Sequence, residues 1–122
     1  MDNIIAHTTH NPRIDVAEVH GDLTDNAVIE LQMYLYNCLD FDRHHQIMNF
    51  KHTQKIDNLA INILEDFGIQ SIRIGLINAG PEILRMLKVA GRGNIVEKIY
   101  DVTDNDKAVS LFAKEILLNE HL

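Results

Sequence analysis

The sequence predicts a single α/β domain with a mostly parallel sheet, on three observations. The chain has 122 residues, a length that suits one hydrophobic core of ordinary size. Its two prolines and six glycines leave no stretch typical of a linker between domains. Segments with strand periodicity alternate with segments with helix periodicity, an order that favours parallel strands joined by right-handed helical crossovers.

The first predicted strand and helix follow a turn at Asn11-Pro12. Residues 14–19 alternate well enough for a half-buried strand that ends near Gly21. Thr24 or Asp25 can then cap a helix, because apolar side chains recur behind them at helical spacing, namely Val28, Leu31, Leu35, Cys38 and Leu39. This stripe predicts that the Cys38 thiol is buried in the core.

The middle of the chain repeats this order of strand and helix. Residues 46–50 form an apolar run that predicts a short buried strand, and residues 52–55 form a polar loop behind it. Asp57 or Asn58 can cap the next helix, which we expect Gly68 to end in a left-handed conformation. The apolar stripe of this helix consists of Ala60, Ile63, Leu64 and Phe67.

The clearest strand is predicted at residues 71–77, where Gly75 opens one face to close packing. The other face of this strand is apolar and carries Ile72, Ile74 and Leu76. Pro81 then begins a helix, since its missing N–H costs nothing in the first turn. Gly91 and Gly93 end that helix behind the stripe of Ile83, Met86, Leu87 and Ala90.

Two short apolar segments near the end of the chain, residues 95–96 and 99–102, supply further strand material. Thr103 or Asp104 can cap a last helix. The apolar residues of this helix are Val109, Phe112 and Ile116. The complete order is four strands that each precede a helix, with one more strand possible at the N-terminus.

Charge and composition exclude several classes of function. The chain has 11 basic and 18 acidic residues, a formal charge of −7 and a pI of about 5.3, which disfavours binding to nucleic acids and to anionic membranes. Its single cysteine excludes an intramolecular disulfide and any multi-cysteine metal site. The sequence has neither a signal peptide nor a membrane-spanning run, so we expect a cytoplasmic protein without membrane insertion.

Residues that could perform catalysis form no recognisable constellation. Glycine spacings typical of phosphate-binding loops are missing, and the only serines are Ser71 and Ser110. The seven histidines lack the spacing of a metal-binding helix, so we expect solvated side chains. We therefore predict a protein that is not an enzyme and has no cofactor or metal. One junction stands out, residues 55–60, where an acid and an amide lie at the exposed start of a helix.

Four segments resemble the STAS family of anti-sigma-factor antagonists in their order and spacing. Residues 21–25, Gly-Asp-Leu-Thr-Asp, are similar to the family's Gly-Glu-Leu-Asp segment before the first helix. Residues 56–61 lie where the family has an apolar residue followed by Asp-Ser-Ser/Thr-Gly-Leu. The third segment is a strand end followed by a helix that starts at proline: residues 76–81, Arg85-Met86-Leu87 and Gly91. The fourth is the closing strand and helix: residues 99–102, Asp104 and Ala108.

This resemblance implies both a fold and a mode of action. The fold is one STAS-like domain over residues 14–118, with a four- or five-stranded mixed sheet and about four helices packed mainly on one side. Residues 1–13 are then an N-terminal arm or an edge strand. Family members are non-enzymatic switches, in which a partner kinase of the anti-sigma type phosphorylates the Ser or Thr after the Asp. The unmodified form binds that kinase and frees a sigma factor.

This chain departs from the family at the phosphoacceptor position, which carries Asn58. Asparagine has no hydroxyl, so the off-switch is missing there, although Asn58 can cap the helix as serine would. Thr53 in the preceding loop is the best substitute acceptor. Leu59 is either tucked against the sheet or presented to a partner as a hot spot. The implied partner-binding residues are Asp22, Thr24, Asp25, Thr53, Asp57, Asn58 and Leu59.

Three functions stay open on this resemblance. The first is an antagonist-like module that docks a kinase-type or scaffold protein through residues 21–25, residues 52–55 and the start of the helix at Asp57. The second is a STAS subunit of a larger assembly, either a stressosome-like shell or a lipid-transport ATPase complex. The third is a sensor of a small ligand or nucleotide, with the same helix N-terminus as its anion site.

Overall fold

Five strands form one mixed sheet in the computed structural model, which describes residues 3–70, 72–89 and 98–120. The strands are β1 (Ile4–Thr8), β2 (Ile14–His20), β3 (His45–His52), β4 (Arg73–Ile77) and β5 (Lys98–Ile99). The helices are α1 (Asn26–Asp40), α2 (Asn58–Gln70), α3 (Pro81–Val89) and α4 (Asn105–Glu120). The alternation of strands and helices predicted from the sequence is confirmed.

The order of the strands in the sheet follows their order in the sequence. Strands β2 to β5 run parallel to one another, and β1 pairs with β2 as an antiparallel edge strand. The register sets Ala17 opposite Met48, and Met48 opposite Leu76. The four parallel strands end together at one edge of the sheet, which we call the carboxyl edge, and begin together at the opposite amino edge.

Helices cover both faces of this sheet. Helices α1, α2 and α3 pack on one face over the larger core, which includes Leu31, Leu64, Leu76 and Ile83. Helix α4 packs on the other face through Val109, Phe112 and Ile116. The expectation that β2 is half-buried is wrong, because α4 covers Ile14 and Val16 on the face that would otherwise meet solvent.

The packing of α4 depends on the missing side chain of Gly75 in β4. A Cβ at this position would lie 2.9 Å from the Tyr100 ring and 3.1 Å from the Phe112 ring. Those two rings meet edge-on, with their centroids 6.2 Å apart. Gly75 therefore opens the α4 face of the sheet to close packing, as the sequence predicts.

A polar network closes the amino edge. The guanidinium of Arg43 donates from Nε to the buried Asp15 carboxylate at 2.9 Å, and Gln46 Nε2 donates to the same carboxylate at 2.9 Å. Tyr34 in turn donates its hydroxyl to Gln46 Oε1 at 2.6 Å. Burial favours a raised Asp15 pKa, but the bonds from Arg43 and Gln46 outweigh it and hold that pKa below its usual value.

The prediction that the Cys38 thiol is buried is confirmed. The residue lies on the core side of α1, and burial raises the pKa of its thiol to about 11. The predicted end of α2 is wrong, because the helix continues through Gly68 to Gln70. Predictions at Ser71, Ala90, Gly91, Gly93 and residues 95–96 lie outside the described residues.

Candidate functional site

Two loops run side by side at the carboxyl edge, where β2 leads into α1 and β3 leads into α2. Leu23 N–H donates to the Lys55 carbonyl at 2.9 Å, and Asp57 N–H donates to the Leu23 carbonyl at 3.1 Å. These bonds form an isolated parallel bridge between Leu23 and Ile56, whose side chains are both buried. Residues 21–25 and 53–57 therefore form one unit. We call this unit, together with Asn58 and Leu59 at the start of α2, the seam.

Side chains within the seam hold its backbone in place. The exposed Asp22 accepts hydrogen bonds at Oδ1 from the N–H groups of Gln54 and Lys55, both at 3.0 Å. Thr53 donates its hydroxyl to the Val19 carbonyl at 3.0 Å and is only 5% exposed. Thr53 thus lies beneath the surface, which corrects the expectation that its side chain is available to a kinase or to a partner.

The start of α2 is capped by Asp57, whose Oδ1 accepts a hydrogen bond from the Ala60 N–H at 3.0 Å. This confirms Asp57, one of the two predicted caps, and corrects the expectation that Asn58 can cap the helix as serine would. Asn58 is the first helical residue, and its side chain is exposed. The neighbouring Leu59 is 60% exposed, so it is presented to solvent and not tucked against the sheet. Asn58 and Leu59 form the outermost point of this junction.

The other half of the seam precedes α1. The Thr24 carbonyl accepts a hydrogen bond from the Ala27 N–H at 3.1 Å, and the Thr24 side chain is half-buried. Asp25 occupies the cap position with a positive φ of 53°, but its carboxylate makes no capping hydrogen bond. The predicted helix start is confirmed, whereas capping by the Asp25 side chain is not. Its carboxylate is exposed at the surface of the seam.

The predicted site residues are therefore brought together by one structural unit. Asp22, Asp25, Asn58 and Leu59 lie exposed on it, and Asp57 and Thr24 are partly covered. Three carboxylates, those of Asp22, Asp25 and Asp57, belong to the same unit as the exposed leucine, with Lys55 as the seam's own cation. An exposed leucine is a side chain that a protein partner can bury.

A second feature of the carboxyl edge, on the α4 face, was not predicted from the sequence. It is a cavity of about 220 Å³ with polar walls: Glu18, Asn49, Lys51, His52, Thr103, Asp104 and Asn105. Asn49 Nδ2 donates to Asn105 Oδ1 at 2.9 Å, and Asn49 Oδ1 accepts a hydrogen bond from Asn78 at 3.0 Å. The sequence signal for this cavity was the polar residues just after the predicted parallel strands, because parallel strands end at the same edge of a sheet.

Histidines gather around Glu18 beside this cavity. Nε2 of His20 lies 3.2 Å from Glu18 Oε2, and Nε2 of His7 lies 3.6 Å from the same oxygen. The rings of His20 and His52 stack with centroids 4.9 Å apart. Burial favours a raised Glu18 pKa, but the contacts with His20 and His7 outweigh it and lower the pKa. In the part of the chain that the structure describes, no group of three histidine, cysteine, aspartate or glutamate residues is placed to hold a metal ion.

Comparison with known proteins identifies the fold. Neither a protein-family model nor a curated protein matches the sequence. Among solved structures, an anti-sigma factor antagonist from Mycobacterium paratuberculosis superposes with a TM-score of 0.71 at 13% identity, over 90% of this chain and 94% of that one. The chain has the fold of the anti-sigma factor antagonists. The sheet and helix arrangement implied by the STAS resemblance is thereby confirmed.

The antagonist SpoIIAA has this fold as well, and its structure is known in two states. The unphosphorylated form superposes with a TM-score of 0.65 at 16% identity, over 88% of this chain and 94% of that one. The phosphorylated form of the Bacillus protein superposes with a TM-score of 0.62 at 15% identity, over 88% and 96%. Among the described helices of the present chain, none is long and apolar enough to cross a membrane.

Proposed function

We propose that this chain is a non-enzymatic, cytoplasmic protein-interaction module that acts in the manner of an anti-sigma factor antagonist. The observation that carries the proposal is the exposed pair Asn58 and Leu59 on the seam. A folded domain gains nothing from placing a leucine in water, whereas a partner that covers it gains the burial of an apolar side chain. The partner we propose is a kinase-type anti-sigma protein.

The second part of the proposal concerns regulation. SpoIIAA is known in phosphorylated and unphosphorylated forms. The acceptor position assigned here to Asn58 has no hydroxyl, and the nearby Thr53 hydroxyl is buried and donates to the Val19 carbonyl. We therefore propose that the seam of this chain is permanently competent to bind and is not switched off by phosphorylation.

Binding is tested with a recombinant kinase-type anti-sigma factor encoded in the same genome, by calorimetric titration in the presence of ATP. Leu59→Ser should weaken binding about 10-fold or more, since a central apolar contact is lost. Leu117→Ser is the matched control, because Leu117 is an exposed leucine on α4. Equal losses of affinity for the two substitutions would contradict the proposal. So would a wild-type protein that binds no kinase-type anti-sigma factor from its own genome.

The assignment of Asn58 is tested separately. With an active cognate kinase, Asn58→Ser should acquire one phosphate, and the wild-type protein none. The kinase's own antagonist serves as the positive control for activity. Phosphate on the wild-type protein would overturn the unregulated version, and an Asn58→Ser protein that stays unmodified would remove Asn58 from the acceptor position.

Two other outcomes would move the function elsewhere. Stoichiometric capture of other STAS proteins or of a transport ATPase would support an assembly subunit. A clear rise in melting temperature with GTP, ATP or an acidic metabolite would support a ligand sensor.

A further inference from the structure

Helix α1 presents an apolar stripe to solvent, on the side that faces away from the sheet. Ile29, Met33 and Tyr36 recur at i, i+4 and i+7 and are 57%, 62% and 50% exposed. The exposed Asp40 continues the same stripe at i+11. The three side chains form one row on a 15-residue helix, in which the Tyr36 ring also meets the Phe67 ring of α2 edge-on, with centroids 4.9 Å apart.

The charges around this stripe are negative. Helix α1 contains two carboxylates, Glu30 and Asp40, and no lysine or arginine. The Glu30 carboxylate accepts hydrogen bonds from the N–H groups of Asn3 and Ile4, which leaves Asp40 as the acid at the end of the stripe. The helix carries no cation, so a second copy of α1 offers Asp40 no opposite charge.

Helix α4 has an outer stripe of the same spacing that carries two lysines, with the exposed carboxylate of Asp106 beside it. Lys107, Leu111, Lys114 and Leu118 recur at i, i+4, i+7 and i+11, and all four are exposed. This stripe adjoins an open cavity of about 440 Å³ lined by Val102, Asp106, Lys107, Ser110 and Leu111. The volume of the cavity would accommodate one large apolar side chain such as Met33.

We propose that the α1 stripe of one copy of this chain packs against the α4 stripe of another copy. Apolar side chains meet apolar side chains in this contact, and Asp40 meets a surface that carries Lys107 and Lys114. Because the two stripes lie on opposite faces of the sheet, each copy can use both at once. The contact is therefore head-to-tail and builds chains of copies, not a closed two-fold dimer.

The association should be weak, because two helices of 15 and 16 residues bury less area than a standard protein interface. It should also weaken with added salt, since opposite charges meet across it. The seam takes no part in this contact. If the self-association is not found, the proposed function of the seam is unaffected, and if the proposed function fails, the self-association can still be found.

Sedimentation velocity over a concentration series tests the contact. The mass-average sedimentation coefficient of the wild-type protein should rise with concentration. The Met33→Glu protein (α1 stripe) and the Leu111→Glu protein (α4 stripe) should each stay monomeric. Both positions are exposed, so folding should be unchanged by circular dichroism. An equimolar mixture of the two variants should give a dimer that grows no further, because each variant keeps one working stripe.

Several results would overturn the proposal. A wild-type protein that stays monomeric up to about 1 mM has no useful self-association. A Leu111→Glu protein that still dimerises would show a two-fold contact through α1, and a mixture that stays monomeric would exclude the pairing of α1 with α4.

Two charge-reversal substitutions, one on the α4 stripe and one elsewhere, test the electrostatic contribution to self-association. Lys114→Glu should weaken self-association about 3-fold or more at low salt. Arg85→Glu, an equal change of charge on α3, should leave it unchanged. Equal effects of the two substitutions would mean that net charge, and not the α4 stripe, controls association.

Discussion

The two edges of the sheet use polar side chains in opposite ways. At the amino edge, the partly exposed Arg43 and the buried Gln46 donate hydrogen bonds to the buried Asp15 carboxylate, and these bonds contribute to holding β2 and β3 together. At the carboxyl edge, Asp22 and Asp57 bond backbone N–H groups, so their role is to fix the shape of the seam. We therefore expect the amino edge to contribute more to stability, and the carboxyl edge to present an exposed surface.

This division explains why the exposed leucine is found where it is. A loop whose backbone donors are already satisfied keeps its shape without packing its outermost side chains. Asn58 and Leu59 can therefore stay exposed on a rigid support. For the binding proposed above, a preorganised support would lower the entropy that is lost on association.

The largest expected effect is at the amino edge. Arg43→Met leaves the Asp15 carboxylate buried without its cation, and should lower the free energy of unfolding by about 2 to 3 kcal/mol. The cost stays below that of a fully buried pair because the Arg43 side chain is 35% exposed. Urea denaturation at neutral pH measures the change.

The control for that substitution is Arg85→Met, which breaks the exposed pair of Arg85 and Glu82 on α3. It should cost less than about 0.5 kcal/mol. If Arg43→Met costs no more than this control, the amino edge is not the stable one and the comparison fails.

At the carboxyl edge, loss of the α2 cap should cost less. Asp57→Ala removes the acceptor of the Ala60 N–H and should lower the free energy of unfolding by about 1 kcal/mol. Asp57→Asn keeps an oxygen at the same place and should restore most of the loss. A similar loss for both substitutions would mean that the charge of Asp57 matters more than its cap bond.

Asp25→Gly should stabilise the protein, by up to about 1 kcal/mol. Asp25 has a positive φ of 53° and its carboxylate makes no capping bond, so glycine relieves the backbone without loss of a contact. Thermal denaturation measures the shift, with Asp25→Ala as the comparison, which should destabilise. A stabilising alanine would show that no strain is stored at this position.

The smallest expected effect is on acid stability. The Asp15 pKa is lowered in the fold, so its contribution is complete above its ordinary value of 3.8 and is lost as the pH falls through the folded value below that. Glu18, at the carboxyl edge, acts in the same direction from its ordinary value of 4.5. Asp15→Asn should flatten the acid limb of a stability profile more than Glu18→Gln, because Asp15 is the more buried. The opposite order would contradict the comparison.

Periodicity predicted the elements well because each stripe is a local property of the sequence. Cys38, Gly75 and Pro81 all have the roles that their neighbours in the chain indicate. The half-buried β2 was a wrong prediction because it depends on where α4 packs, some 90 residues later in the chain.

The site was predicted less completely, since its geometry depends on bonds between two loops. Thr53 lies in a polar run, yet its hydroxyl reaches the Val19 carbonyl and is buried. Whether Leu59 is exposed depends on how the α2 start is held, which no local pattern encodes. The cavity beside Glu18 needs three separate segments to meet, so only the fold reveals it.

The way α2 begins also bears on how such a protein can diverge over generations. Asp57 fixes the first turn, and Leu23 fixes Asp57, so neither duty falls on residues 58 and 59. We therefore expect substitutions at those two positions to be nearly neutral for folding. Under the proposed function, a gene copy would then acquire a new binding preference in two steps, without passing through an unstable ancestor.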